Sequence, residues 1–231
     1  MPVVSDPSVL NSVALFEGLT AEQLSRLNTL LHRKTFPAGS NLMTAGQTGD
    51  VIYIILNGTV KIHLVRADGT EVIIAILGTG DTVGEMSLVD NTSRSADVVT
   101  LEESTLLWMD KTAFQECLMK MPAMTFNLMR ILSGRLRLAN EQIQALAALE
   151  VESRVARQLL AFARQYGRPT PEGQVLIPIR LTQSDIAGLV GASRERINQV
   201  IVAYKERKYI AVDHNYRITI HNQHALESRC L

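Results

Sequence analysis

The chain has 231 residues, 46% of them hydrophobic, and its 23 Lys+Arg balance 23 Asp+Glu. That length exceeds the usual single domain and supplies material for two packed cores. No stretch approaches the ~20 apolar residues of a membrane helix, and the opening MPVVSDPSVL lacks the basic-then-apolar plan of a secretory leader. A cytoplasmic protein with no membrane partner is expected.

The neutral total hides an asymmetry. Residues 1–150 hold 11 Lys+Arg against 16 Asp+Glu, a net −5, whereas residues 151–231 hold 12 against 7, a net +5. A basic C-terminal part on an acidic body suits a phosphate-backbone binder carrying a separate sensory module. Cys117 and Cys230 stand too far apart in sequence to announce a disulfide framework, a zinc site or an iron–sulfur cluster. His221 and His224 have no companions at metal-ligand spacing. No metal and no catalytic chemistry are therefore expected, since nucleophile–base pairs and phosphate-binding loops are also lacking.

In chain order, Leu24, Leu27, Leu30 and Leu31 repeat at helical spacing behind Thr20, with Gln23 placed to complete a reciprocal cap. From Lys34 to Asp110 short β-branched runs (VIYIIL, TVKIHLV, EVIIAIL, SADVVT, STLLWM) alternate with turn signals, Asp68-Gly69 being the strongest hairpin mark. Such spacing indicates a β-sandwich or roll. Residues 122–149 then read as one helix of ~42 Å at 1.5 Å per residue. Along it Met129, Leu132, Leu136, Ala139, Ile143 and Leu146 recur at alternating spacings of three and four, the seam of a two-helix coiled coil. A homodimer is expected. A second helix, SRVARQLLAFARQYG, ends at Gly167, and RPTPEGQ reads as a loop.

The C-terminal part carries the most specific motif. Thr182 caps a helix from Gln183 to Leu189, Gly191 turns the chain, and Ser193 caps a second helix from Arg194. Ile186, Val190, Ile197, Val200 and Ile201 supply a shared core, leaving Arg194, Glu195, Asn198 and Gln199 facing outward. Arg pairs with guanine and Glu accepts from the cytosine amino group, so this face suits a major groove. The strand-like IAVD and YRITIH, joined at His214-Asn215, add a wing. Double-stranded DNA is the expected partner, with Thr182, Gln183 and Ser193 beside the reading face.

A second motif is Gly84-Glu85-Met86-Ser87-Leu88, followed by Arg94-Ser95-Ala96. A glycine at a strand-to-helix turn lets backbone N–H groups approach an anion. Arg94 and Ser95 can complete a phosphate site, and Glu85 can accept from a sugar hydroxyl.

Together with the roll glycines Gly39, Gly58, Gly69 and Gly80-Asp81 and the segment Leu181 to Glu195, these motifs resemble the CRP/FNR family of cyclic-nucleotide-responsive transcription regulators over roughly residues 12–222. The resemblance implies an α+β architecture. Residues 1–121 form a jelly-roll-like cyclic-nucleotide-binding β-roll, 122–150 a dimerisation helix, and 151–231 a winged helix-turn-helix. It implies cAMP as allosteric ligand, held by Gly84, Glu85, Met86, Ser87, Arg94 and Ser95, and base reading by Arg194 and Glu195. RNA polymerase is the implied further partner, and haem or iron–sulfur sensing is disfavoured because the Cys and His ligands are missing. Where the family's cAMP sensors place a hydroxyl pair on the long helix, this chain has Ala139-Asn140, and Asn140 can take that role. Gln199 stands where a third basic base-reading residue is common. The alternatives are an effector such as cyclic di-GMP, DNA binding without ligand, or a nucleotide module serving an attached enzyme or channel.

Overall fold

The structure, a computed structural model, describes residues 3–69 and 71–230. The chain divides into two compact units, Met1–Leu64 with Ile74–Arg137 and Val65–Ile73 with Leu138–Leu231. The N-terminal helix α1 (Ala21–Leu30) starts as its sequence announces, with the Thr20 hydroxyl accepting from the Gln23 amide and the Gln23 side chain accepting from the Thr20 amide. Strands β1 (His32–Phe36), β2 (Asn41–Met43), β3 (Val51–Asn57), β4 (Val60–Val65), β5 (Glu71–Leu77) and β6 (Thr82–Val83) follow. After the short helix α2 (Glu85–Val89) come β7 (Asp97–Thr100) and β8 (Ser104–Asp110). They pair as two four-stranded sheets in the orders β1-β8-β3-β6 and β2-β7-β4-β5, the expected roll.

Strand β3 explains why VIYIIL is apolar without alternation. Ile52 and Ile54 enter a core shared with the helices, while Ile55 enters the core between the sheets, beside Val60, Val98 and Leu106. Burial on both faces removes the polar half of the pattern. The strand region begins at His32 rather than Lys34. HRKTF is an edge strand, exposed along nearly its whole length and held by its ladder to β8, so no hydrophobic signal marks it.

Helix α3 (Lys111–Lys120) leads into α4 (Pro122–Ala148), 27 residues long. Its first half belongs to the roll. Met124 and Leu128 are buried in the first unit's core, Ile131 packs against it, and buried Asn127 donates to the carbonyls of Leu15 and Glu17 at 3.1 and 2.7 Å. Leu132, expected in the seam, is partly buried and packs against this same core. The other large seam residues, Met129, Leu136, Ile143 and Leu146, are each more than half exposed, and so is Phe126 one turn earlier. Ala139 is exposed as well.

The second unit holds α5 (Val151–Tyr166), β9 (Arg168–Pro169), β10 (Val175–Ile177), α6 (Gln183–Val190), α7 (Arg194–Glu206), β11 (Ile210–Val212), β12 (Ile218–Ile220) and α8 (Gln223–Glu227). Its strands form one sheet in the order β11-β12-β10-β9. The segment RPTPEGQ, read above as a loop, contributes β9 and turns back onto β10, with the Thr170 amide donating to Gln174 at 2.9 Å. The wing strand begins at Ile218, not Tyr216: Tyr216 sits at φ +60°, and Asp213 accepts from the amides of Asn215 and Arg217 to shape the turn. Ile186, Val190, Ile197, Val200 and Ile201 are at most 4% exposed, as their spacing requires. Buried Tyr204 donates to the Glu152 carbonyl at 2.8 Å, tying α7 to α5, and burial pushes its phenol up to about 12.

Gly58, between β3 and β4, has φ +105°, and a Cβ there would lie 2.2 Å from Ser104 Oγ and 2.7 Å from Ser104 Cα. Both strain and collision with fixed backbone oppose any side chain. Gly58→Ala is expected to destabilise the roll by at least ~2 kcal/mol, measured by denaturant unfolding.

Candidate ligand pocket and DNA-reading surface

Strand β6 ends at Gly84, whose φ of +93° lets the chain turn directly into α2. A Cβ at Gly84 would lie 2.3 Å from Met43 Cε and 2.7 Å from Arg94 Nη1, so the glycine is also what lets Arg94 in. Arg94 is only 7% exposed. Its Nη1 donates to the Gly84 carbonyl (2.7 Å) and Ser87 Oγ (2.8 Å), and its Nη2 donates to the Val51 carbonyl (2.6 Å). None of these acceptors carries a charge. Burial lowers the guanidinium's pKa from its ordinary value, and the fields of Asp50, Tyr53 and Glu85 oppose that shift. With three of five N–H groups engaged, two remain for an incoming anion.

Glu85 lies beside it, 2% exposed. One of its oxygens, Oε1, takes a 2.6 Å hydrogen bond from Arg135 Nη1, reaching over from α4. The other, Oε2, is buried without a partner among the described residues, and so is the Thr82 hydroxyl. Arg135 also donates to the Thr82 carbonyl. The cluster therefore holds a buried cation, an unpartnered carboxylate oxygen and an unpartnered hydroxyl, a donor and acceptor set that fits a phosphorylated sugar. Gly84, Glu85, Ser87 and Arg94 converge here, whereas Met86 and Ser95 are exposed. Asn140 is exposed on α4, in the stretch belonging to the second unit.

Arg94 is thus not the lone cation at the cassette. Arg135 is absent from the sequence expectation because the spacing pattern of α4 marks its apolar positions only. The available signal was an arginine immediately beside the seam position Leu136. Thr82 and the Val51 carbonyl are absent from that expectation as well, and a carbonyl acceptor leaves no mark in side-chain identity.

In the second unit Thr182 and Asp185 form a reciprocal cap on α6, Gly191 closes that helix at φ +64°, and Ser193 accepts from the Arg196 amide at 3.2 Å to start α7. Thr182 spends its hydroxyl on Asp185. Arg194, Glu195, Asn198 and Gln199 are all exposed on one side of α7, as expected. Two of them are braced from the side: Gln183 donates to Asn198 Oδ1 at 2.8 Å, and Arg196 donates to Gln199 Oε1 at 3.1 Å while its other arm reaches Glu152 at 3.5 Å. Arg196 is not among the residues expected on the reading face. A cleft of about 450 Å³ opens between α6, α7 and the wing, with Thr182, Ser184, Arg194, Lys205, Asp213 and Tyr216 on its walls.

The Arg135–Glu85 pair can be tested alone. Removing one partner of a buried pair strands the other charge, so Arg135→Ala is expected to cost about 3 kcal/mol in chemical denaturation. Glu85→Gln in that background is expected to recover part of the loss, and purely additive losses would deny the coupling.

Against known proteins, residues 33–121 match the cyclic nucleotide-binding domain and residues 153–229 the Crp-like helix-turn-helix domain. The chain is 34% identical over 206 residues to a CRP-like cAMP-activated global transcriptional regulator of Mycobacterium tuberculosis, covering 89% of this chain and 91% of that protein. It is 32% identical over 192 residues to the cyclic AMP receptor protein of Thermus thermophilus, covering 83% and 85% respectively. Among solved structures, the Thermus thermophilus catabolite activator protein superposes with a TM-score of 0.53 at 28% identity, covering 94% of this chain and 98% of that one. The chain belongs to the CRP/FNR family of cyclic-nucleotide-responsive transcription regulators.

Proposed function

We propose that this regulator responds to cAMP and acts as a cytoplasmic homodimer on a palindromic operator, engaging RNA polymerase once bound. The observation that carries the ligand assignment is Arg94, a buried guanidinium whose partners are all uncharged. Burial costs this charge more than the fields of Asp50, Tyr53 and Glu85 return, and a cyclic phosphate bound at the guanidinium supplies the remainder. Glu85 Oε2 takes a ribose hydroxyl, the Gly84 turn brings backbone close to the phosphate, and Met86, Ser87 and Ser95 border the site. Asn140 supplies the hydrogen bonds to the base, with Ala139 contributing none. Relatives named as a cAMP-activated regulator and a cyclic AMP receptor protein support this choice.

In this reading residues 1–121 sense, 122–150 dimerise and 151–231 bind DNA. The exposed apolar stripe of α4, with Met129, Leu136, Ile143 and Leu146 and extended by Phe126, is what a second copy covers. Leu132 contributes from its half-buried position and Ala139 permits close approach. A ligand shifts a conformational equilibrium only by its differential affinity for the two states. Contacts that tie the cassette to α4 through Glu85 and Arg135 are a physical source of that difference. The outcome is a pair of recognition helices matched to half-sites about 34 Å apart. There Arg194, Glu195, Asn198 and Gln199 face base edges, and Thr182, Gln183 and Ser193 lie near the backbone.

Calorimetric titration with cAMP, cGMP and cyclic di-GMP tests the ligand. cAMP is expected to give a saturable heat that Arg94→Gln abolishes, and a flat cAMP trace overturns the assignment. For the assembly, sedimentation is expected to give a dimer for the natural chain and a monomer for Leu136→Glu, with loss of its salt-sensitive, sequence-selective gel shift. A natural chain that sediments as a monomer while still shifting DNA would sink the dimer reading.

A further inference from the structure

Helix α7 presents one exposed apolar side chain to which the proposed reading gives no role. Its exposed residues are polar or charged at Arg194, Glu195, Arg196, Asn198, Gln199, Lys205 and Glu206, with a single apolar exception among the described residues, Val202. Val202 is 43% exposed, while its neighbours Ile201 and Tyr204 are 4% and 1% exposed and face the core. It is therefore not a core residue at the edge of its site. At 3.6 residues per turn Val202 falls within about 20° of Glu195 around the helix, and Gln199 lies about 40° to the other side of Glu195. Val202 thus stands on the line of residues that faces the bases. The surface around it is held: Gln183 fixes Asn198 and Arg196 fixes Gln199, so the polar side chains on either side do not fold over it. A β-branched side chain has one strongly preferred rotamer in a helix, so its two methyls project in a set direction.

We propose that Val202 determines operator specificity by packing against the C5-methyl group of a thymine in the major groove. That methyl is the only apolar group a base pair displays there, and small apolar side chains are what recognise it. Seven residues along the helix correspond to about 10.5 Å. At ~3.4 Å per base pair, the thymine lies about three base pairs from the pair that Glu195 addresses. The inference rests on the DNA-reading role of α7 and adds a base identity to it.

Replacing thymine by deoxyuridine removes the methyl and nothing else. Half-sites are first selected from a random duplex pool by the full-length protein with cAMP, and each dT in the selected duplex is then replaced singly by dU. At one position per half-site the substitution is expected to weaken binding about fourfold, which is ~0.8 kcal/mol for one buried methyl. Val202→Ala is expected to be indifferent to the same replacement and to lose the thymine from its own selected sites. Alanine at an exposed helical position favours the helix, so unchanged circular dichroism and sedimentation separate lost reading from lost folding. Tolerance of dU at every position by the natural protein, or an equal penalty in Val202→Ala, overturns the proposal. Recovery of no preferred sequence defeats the DNA-reading role and this inference with it, whereas sites with indifferent thymines defeat the inference alone.

Discussion

The pocket is organised around one buried cation. Arg94 reaches almost complete burial because three oxygens from different parts of the roll, the end of the Gly84 turn, the first residue of β3 and a side chain of α2, converge on its guanidinium. Two glycines leave the room: a Cβ at Gly84 would lie 2.7 Å from Nη1, and one at Gly49 would lie 3.2 Å from Cζ. Neutral acceptors engage three of its N–H groups but do not cancel the charge, and the fields of Asp50, Tyr53 and Glu85 offset its desolvation only in part. The roll thereby holds a deficit that, in the proposed reading, a negatively charged ligand removes.

Much of this was legible from residue order, for reasons that differ by element. The caps at Thr20, Thr182 and Ser193 could be read because a hydroxyl with a partner three residues on has few alternative uses. The core of α6 and α7 was legible because every fourth or third position is apolar and every one of them is buried. Strand β1 was not, because an edge strand held by backbone hydrogen bonds makes no demand on side-chain type. The hairpin at β9 and β10 was hidden by Pro169 and Pro171, whose ordinary meaning is loop. At the candidate ligand site the sequence named Gly84, Glu85 and Arg94 but not Arg135. The cassette residues are close in sequence, whereas Arg135 meets Glu85 across fifty positions, a pairing that only folding reveals.

Helix α4 has two kinds of neighbour on its two sides. Met124, Asn127 and Leu128 are buried against the roll, with Ile131 and Leu132 at the margin, while Phe126, Met129 and Leu136 stand exposed on the opposite side. Turning this half of the helix about its own axis would drag at least two large apolar side chains into water, at about 1.5–3 kcal/mol each, and break the two bonds from Asn127. Sliding along the axis would break the same two bonds, whereas bending farther down the helix leaves them in place. Mechanically, the helix is a rod keyed into its socket: it bends beyond the socket far more cheaply than it slides or turns within it.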